Sequence, residues 1–149
     1  MPKDIRPLRA DLAPMVVALP TEDRQRSFNF YAEGLGLEPI GETAEDGIPE
    51  PLQFVLNHGV RLMLIPTVGF GWVTGNRPTA VRETSECLLA LTVADERGVD
   101  ELVERARQAE AEVVLEPTQQ PWGYSAAFAD PDGHLWQMAP VAAVPLFAD

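Results

Sequence analysis

The spacing of apolar residues along the chain changes repeatedly, and each change marks an element. Met15-Val16-Val17-Ala18-Leu19 is an unbroken apolar run closed by Pro20, which predicts a short buried strand. Thr21 can then cap a helix, with Glu22 and Asp23 in the first turn, where the helix dipole favours negative charge. Phe28, Tyr31 and Leu35 recur at spacings of three and four and give that helix one apolar face; Gly34 and Gly36 end it. A second strand is expected over Leu37 to Thr43, then an acidic loop from Ala44 to Pro51. Leu52 to Leu56 and Val60 to Ile65 read as two more strands joined by the turn Asn57-His58-Gly59.

From Pro66 to Ser85 the periodicity disappears, and Gly69, Phe70, Gly71, Trp72, Gly75, Asn76 and Pro78 predict a long connection. A second series follows. Glu86 to Val93 is an apolar strand, and a helix opening near Asp95 carries Val99, Leu102, Val103, Ala106 and Ala109 on one face. Glu112 to Glu116 is a further strand. The stretch from Trp122 to Pro140 reads as a hairpin, because Asp130-Pro131-Asp132-Gly133 presets a tight turn between two strand-like runs.

Strand, helix and three strands thus occur twice, and several segments correspond. Leu37-Glu38-Pro39 is matched with Leu115-Glu116-Pro117, Gly59 to Pro66 with Gly133 to Pro140, Phe54 with Phe128, and Ala18-Leu19 with Ala90-Leu91. A helix covers only one face of a four-stranded sheet, so each unit keeps a free face that needs a partner.

Composition narrows the function. Hydrophobic residues at 46% and charged ones at 23% suit a globular domain, and 149 residues fit one domain or two small halves. Eleven Lys plus Arg against 23 Asp plus Glu leave a net charge of -12, which repels phosphate backbones and anionic membrane surfaces. Nucleic acid and membrane partners are therefore not expected. Cys87 is the only cysteine, so it has no intramolecular disulfide partner; its apolar neighbours suggest a buried thiol. Charges throughout Met1 to Pro14 argue against a signal peptide, and a cytoplasmic setting is expected.

Two motifs resemble the glyoxalase, bleomycin resistance and dioxygenase superfamily (vicinal oxygen chelate). Phe128-Ala129-Asp130-Pro131-Asp132-Gly133-His134-Leu135-Trp136-Gln137 is similar to that family's aromatic-x-Asp-Pro-Asp-Gly-His-x-x-Glu hairpin, with Gln137 in place of the final Glu. Asp23-Arg24-Gln25-Arg26-Ser27-Phe28-Asn29-Phe30-Tyr31 resembles its Asp-x-x-x-Ser-x-x-Phe-Tyr helix entry. The resemblance covers roughly 15 to 140. It implies an α+β fold in which two tandem βαβββ units pair to form a curved mixed sheet around a cleft. The expected boundaries are a first unit over 15–66, a connecting loop over 67–85, a second unit over 86–140 and a tail over 141–149.

In metal-dependent members, His, Glu or Gln side chains on cleft-facing strand positions hold the ion. By register those places fall at Val16, Met63, Leu88 and Gln137, with Ala18 and Ala90 as alternatives for the first and third. Only Gln137 offers a donor of that kind, and a divalent ion needs about three N or O ligands. No metal site and no cofactor are expected. His58 and His134, both at hairpin turns, are read as solvent-facing.

What remains is an apolar cleft lined by Val16, Ala18, Met63 and Leu88, with Thr92 and Gln137 as polar handles. Phe70, Trp72, Trp122 and Tyr124 are candidates to close it over a flat or cationic ligand; packing of the loops is an equal reading for Trp72 and Trp122. Trp136, opposite in parity to Gln137, belongs to the core. The apolar cleft points to a metal-independent small-molecule binding protein, and the resemblance to antibiotic-resistance members of the superfamily implies sequestration of an antibiotic or other toxic compound. The alternatives are a metal-dependent lyase, isomerase or dioxygenase of the same fold, and an interaction module whose cleft is filled by its own side chains. No catalytic residue is identified, and the resemblance implies a homodimer.

Overall fold

The computed structural model describes residues 14–141. Of the charged segment Met1 to Pro14 and the tail expected over 141–149, only Pro14 and Val141 lie within this range. The chain opens with β1 (Met15–Thr21), helix α1 (Arg24–Phe28), which continues as a π-helical turn (Asn29–Gly34), and strands β2 (Glu38–Ile40), β3 (Leu52–Asn57) and β4 (Val60–Pro66). After α2 (Thr67–Thr74) come β5 (Leu88–Val93), α3 (Glu96–Gln108), β6 (Glu112–Gln120), β7 (Gly123–Ala129) and β8 (Leu135–Pro140).

The two halves have the same topology. One sheet has the order β1-β4-β3-β2 and the other β5-β8-β7-β6; β1 runs parallel to β4 and β5 to β8, and the remaining neighbours are antiparallel. These are two tandem βαβββ units of an α+β fold.

Pairing tests the internal repeat strand by strand. Ala18 lies opposite Met63 and Ala90 opposite Gln137, while Phe54 pairs with Leu62 and Phe128 with Trp136. Three of the four correspondences therefore hold. The Leu-Glu-Pro match does not: Phe54 faces Pro39 and Phe128 faces Val113, so Leu115-Glu116-Pro117 sits further along β6, at its register shifts. The counterpart of Pro39 is Val113, four residues before Pro117, so the two similar short sequences stand at different levels of their sheets.

Each sheet turns one face inward. Leu52, Phe54, Leu62 and Leu64 from the first and Ala126, Phe128, Trp136 and Met138 from the second join Val99, Val103 and Ala106 of α3 in one core. Phe30 and Tyr31 of the π-helical turn close it from the side, with Phe30 edge-on to Phe128 at 6.0 Å and Tyr31 tilted to Trp136 at 6.0 Å. The units are thus joined through their helix layers. Within the chain their sheets remain separate, and β1 and β5 are both edge strands.

Local departures from the sequence expectation have local causes. Asp23, rather than Thr21, caps α1, its carboxylate accepting the Arg26 amide at 3.0 Å; Thr21 remains in β1, and its hydroxyl pairs with Ser27 at 2.6 Å. β2 is shorter than expected and β6 longer. The connection contains α2, which has no buried residue and no apolar stripe, so periodicity could not reveal it. Cys87 is exposed, because β5 begins one residue later and leaves the thiol in the connection.

Candidate small-molecule site

Cross-strand pairing determines which side chains share the outward face of each sheet, since directly opposed residues point the same way. In the first sheet the central row is Ala18, Met63, Gln53 and Ile40; in the second it is Ala90, Gln137, Ala127 and Leu115. Ala18 and Ala90 are therefore level with Met63 and Gln137. Val16 and Leu88 lie one row away, opposite Arg61 and Leu135, and Thr92 lies one row the other way, opposite Ala139. Val16, Ala18 and Met63 share one face, and Leu88, Thr92 and Gln137 the other.

The aromatic candidates divide. Trp122 is 60% exposed and donates from Nε1 to Ser125 Oγ at 3.2 Å, which holds the indole beside the face that carries Ala127 and Gln137. Tyr124 has the opposite parity: it packs against the core, and its hydroxyl donates to Asp100 on α3. That hydrogen bond, with some desolvation, pushes the phenol up to about 12. The structure thus separates Tyr124 from the other candidates. Phe70 and Trp72 ride on α2, Trp72 at 77% exposure and Phe70 in a cavity beneath the connection. Trp136 is buried in the core, as its parity predicts.

Sequence reasoning missed Gln53 and Arg61, both half-buried on the first outward face. Gln53 alternates with Leu52 and Phe54 like any solvated strand residue. Only its pairing with Met63 places its amide in the central row.

The donor set of the two central rows does not fit a divalent ion, and the carboxylates Glu38 and Glu112 lie one row away on the outer strands. The two central rows offer a thioether and two amides, with no imidazole or carboxylate. One group of possible ligand atoms among the described residues lies elsewhere, in the β7–β8 turn, where Asp130, Asp132 and His134 come within 4.8 Å of one another.

Those turn groups already have partners. Asp130 Oδ1 accepts the amides of Asp132 at 3.0 Å and His134 at 2.8 Å, and its Oδ2 accepts the Tyr31 hydroxyl. Asp132 accepts the Glu22 amide and the Ser27 hydroxyl, and His134 Nε2 lies 2.7 Å from the Pro20 carbonyl oxygen, which requires the proton on Nε2. His134 is consequently half-buried and bonded, and only His58 is solvent-exposed. Burial raises Asp130 above the usual aspartate value, while His134 and the Tyr31 hydrogen bond pull it down. Burial and then the Asp130 charge raise Tyr31 well above the usual phenol value. The cluster fastens the units together.

The sequence model of the Glyoxalase/Bleomycin resistance protein/Dioxygenase superfamily matches residues 15–138. No curated protein matches the chain. Among solved structures, a glyoxalase-related enzyme from Fulvimarina pelagi is similar at 29% identity and TM-score 0.76, covering 91% of this chain and 92% of that one. The hypothetical protein SA1046 of S. aureus is similar at 25% identity and TM-score 0.71, over 89% and 94%. TnmS3, an antibiotic binding protein from Streptomyces sp. CB03234, shares the fold at 23% identity and TM-score 0.59, over 89% and 98%.

Proposed function

The chain belongs to the glyoxalase/bleomycin resistance protein/dioxygenase superfamily, and on that premise we propose that it binds a small apolar or aromatic molecule without a metal ion, as a sequestering protein. The observation that carries the reading is the chemistry of the two central rows: alanine, leucine, isoleucine and methionine side chains with Gln53 and Gln137 as the polar points. Apolar walls with a few placed amides suit orientation of an uncharged ring system, and Trp122 supplies a stacking surface. TnmS3 carries out antibiotic binding on this fold, but that likeness conveys the fold alone, so the proposal rests on this chain's own residues.

The working unit in this reading is a homodimer. Met15, Val16 and Leu88 are 61%, 42% and 52% exposed on the two edge strands, and an uncovered apolar edge favours pairing with another chain. A second copy laid across those edges would set an outward face of one unit against an outward face of the other and enclose the ligand. A cytoplasmic setting belongs to the same reading: Cys87 is the only cysteine, and no helix among the described residues is long and apolar enough to cross a membrane.

Two measurements on purified protein test this. Elemental analysis should find divalent metal well below one ion per chain, and planar aromatic compounds should quench tryptophan fluorescence saturably in the wild type but not in Trp122→Phe. One tightly held ion per chain would return the metal-dependent lyase, isomerase or dioxygenase to first place. A panel that leaves the fluorescence unchanged would favour a cleft filled by the protein itself.

A further inference from the structure

A cavity of about 310 Å³ lies where the end of β1, the start of β5 and the 132–135 turn meet beneath α2 and the connection. None of the central-row residues lines it, and it meets the second outward face only at Leu135, one row from Gln137. Its apolar wall comes from Leu19, Phe70, Val81, Leu89 and Leu135. Leu19 and Leu89 follow and precede Ala18 and Ala90 in their strands and so point the opposite way from the central rows. A pocket of this size, open to solvent on one side and largely apolar in its wall, can release water to a guest of matching shape.

Its charges are uneven in their commitments. Arg77, Arg82, Glu86 and Asp132 all contribute to the lining. Asp132 is occupied by the Glu22 amide, the Ser27 hydroxyl and, at 3.7 Å, the Arg26 guanidinium. Among the described residues, neither Arg77 nor Arg82 has a carboxylate within 4.0 Å, including Glu86. In a chain of net charge -12, two exposed arginines that have no carboxylate within 4.0 Å among the described residues both line one largely apolar cavity.

From this we infer a second binding site, for a flat apolar molecule of one or two fused rings that carries a single anionic group. The rings fill the space between Phe70 and the pair Leu19 and Leu89, and the anion meets Arg77 and Arg82, whose planar forks match a carboxylate or sulfonate. The volume lies at the lower end of small-molecule sites, which begin near about 300 Å³. The site does not depend on whether the outward faces bind anything.

The chain's only thiol makes the test specific, because exposed Cys87 lines this cavity. The probe is 8-anilinonaphthalene-1-sulfonate, with the uncharged N-phenyl-1-naphthylamine as its control, and the readouts are probe fluorescence and the rate at which iodoacetamide alkylates Cys87. Saturable sulfonate binding should slow alkylation several-fold. In the Arg77→Gln/Arg82→Gln double variant, sulfonate affinity should fall about tenfold with little change for the neutral probe. Ala90→Trp, which obstructs the outward face, should abolish the Trp122 response to aromatic compounds yet leave the Cys87 protection intact. Sulfonate binding that leaves the alkylation rate unchanged, or an unaltered affinity in the double arginine variant, overturns the proposal. Loss of the Trp122 response alone bears only on the outward-face reading.

Discussion

Trp136 in the second unit donates from its indole Nε1 to the Tyr31 hydroxyl in the first at 3.1 Å, and that hydroxyl in turn donates to Asp130. All three side chains are buried, so each polar atom in the chain of bonds depends on the next. Tyr31→Phe keeps the ring but orphans both the indole N–H and a carboxylate oxygen. The variant should lose about 3 kcal/mol of stability, an unsatisfied buried group costing about 1–3 kcal/mol and a charged one more. Urea unfolding checks this, and a loss under about 0.5 kcal/mol would mean that water replaces the hydroxyl.

The same carboxylate sets a pH dependence. Asp130 is raised above its ordinary value of 3.8, mainly by burial, so between that value and the raised one the folded chain holds a proton that the unfolded chain releases. Its contribution is full below the ordinary value and is lost as pH rises through the raised one. Asp130→Asn keeps an oxygen for the two turn amides and removes the titration. The stability advantage of the wild type over this variant should therefore shrink with rising pH. The groups facing it are Tyr31, Asp132 and His134; parallel stability profiles for the two proteins would show that these offset the burial completely.

Close approach of the units' helices depends on Gly34. A Cβ there would lie 2.5 Å from the Ala109 Cβ, so Gly34→Ala must push α3 away from the π-helical turn. A cost of about 1–3 kcal/mol is expected. Ala109→Gly in the same chain should recover most of it, which distinguishes the clash from a change in helix propensity. Equal losses in the single and double variants would assign the effect to the backbone.

Restoring the family's carboxylate should not restore a metal site. Gln137→Glu adds one oxygen ligand opposite Ala90, while Ala18 and Met63 still occupy the corresponding first-sheet positions. Calorimetric titration with zinc, nickel or manganese should show no site that the wild type lacks, since about three ligands are needed. A new stoichiometric site would mean that Gln53 or main-chain groups supply the missing donors.

Dimer formation should be sensitive at the edges. Leu88→Glu places a charge on an exposed apolar edge residue, at little cost to a monomer. Size-exclusion chromatography with light scattering should show a shift from dimer to monomer. If the wild type is already monomeric, each outward face must serve by itself.

The sequence by itself determined the strands, the two helices of the repeated units and their duplication, because alternation and helical spacing are local properties; α2, without an apolar stripe, escaped it. Residues 54 to 66 and 128 to 140 carry the repeat openly, and Trp136 could be assigned to the core from its parity with Gln137. Tertiary structure decided everything that depends on cross-strand level. Ala18 rather than Val16 faces Met63, Gln53 joins that row, and the Leu-Glu-Pro match fails because Val113, not Pro117, stands at the level of Pro39. It also decided which groups lost water: His134 found the Pro20 carbonyl more than a hundred residues away, while Cys87, apolar in its neighbours, stayed outside the strand that begins beside it. Spacing along a chain fixes the direction of a side chain relative to its own backbone, but the partner it meets is set by the packing of distant segments.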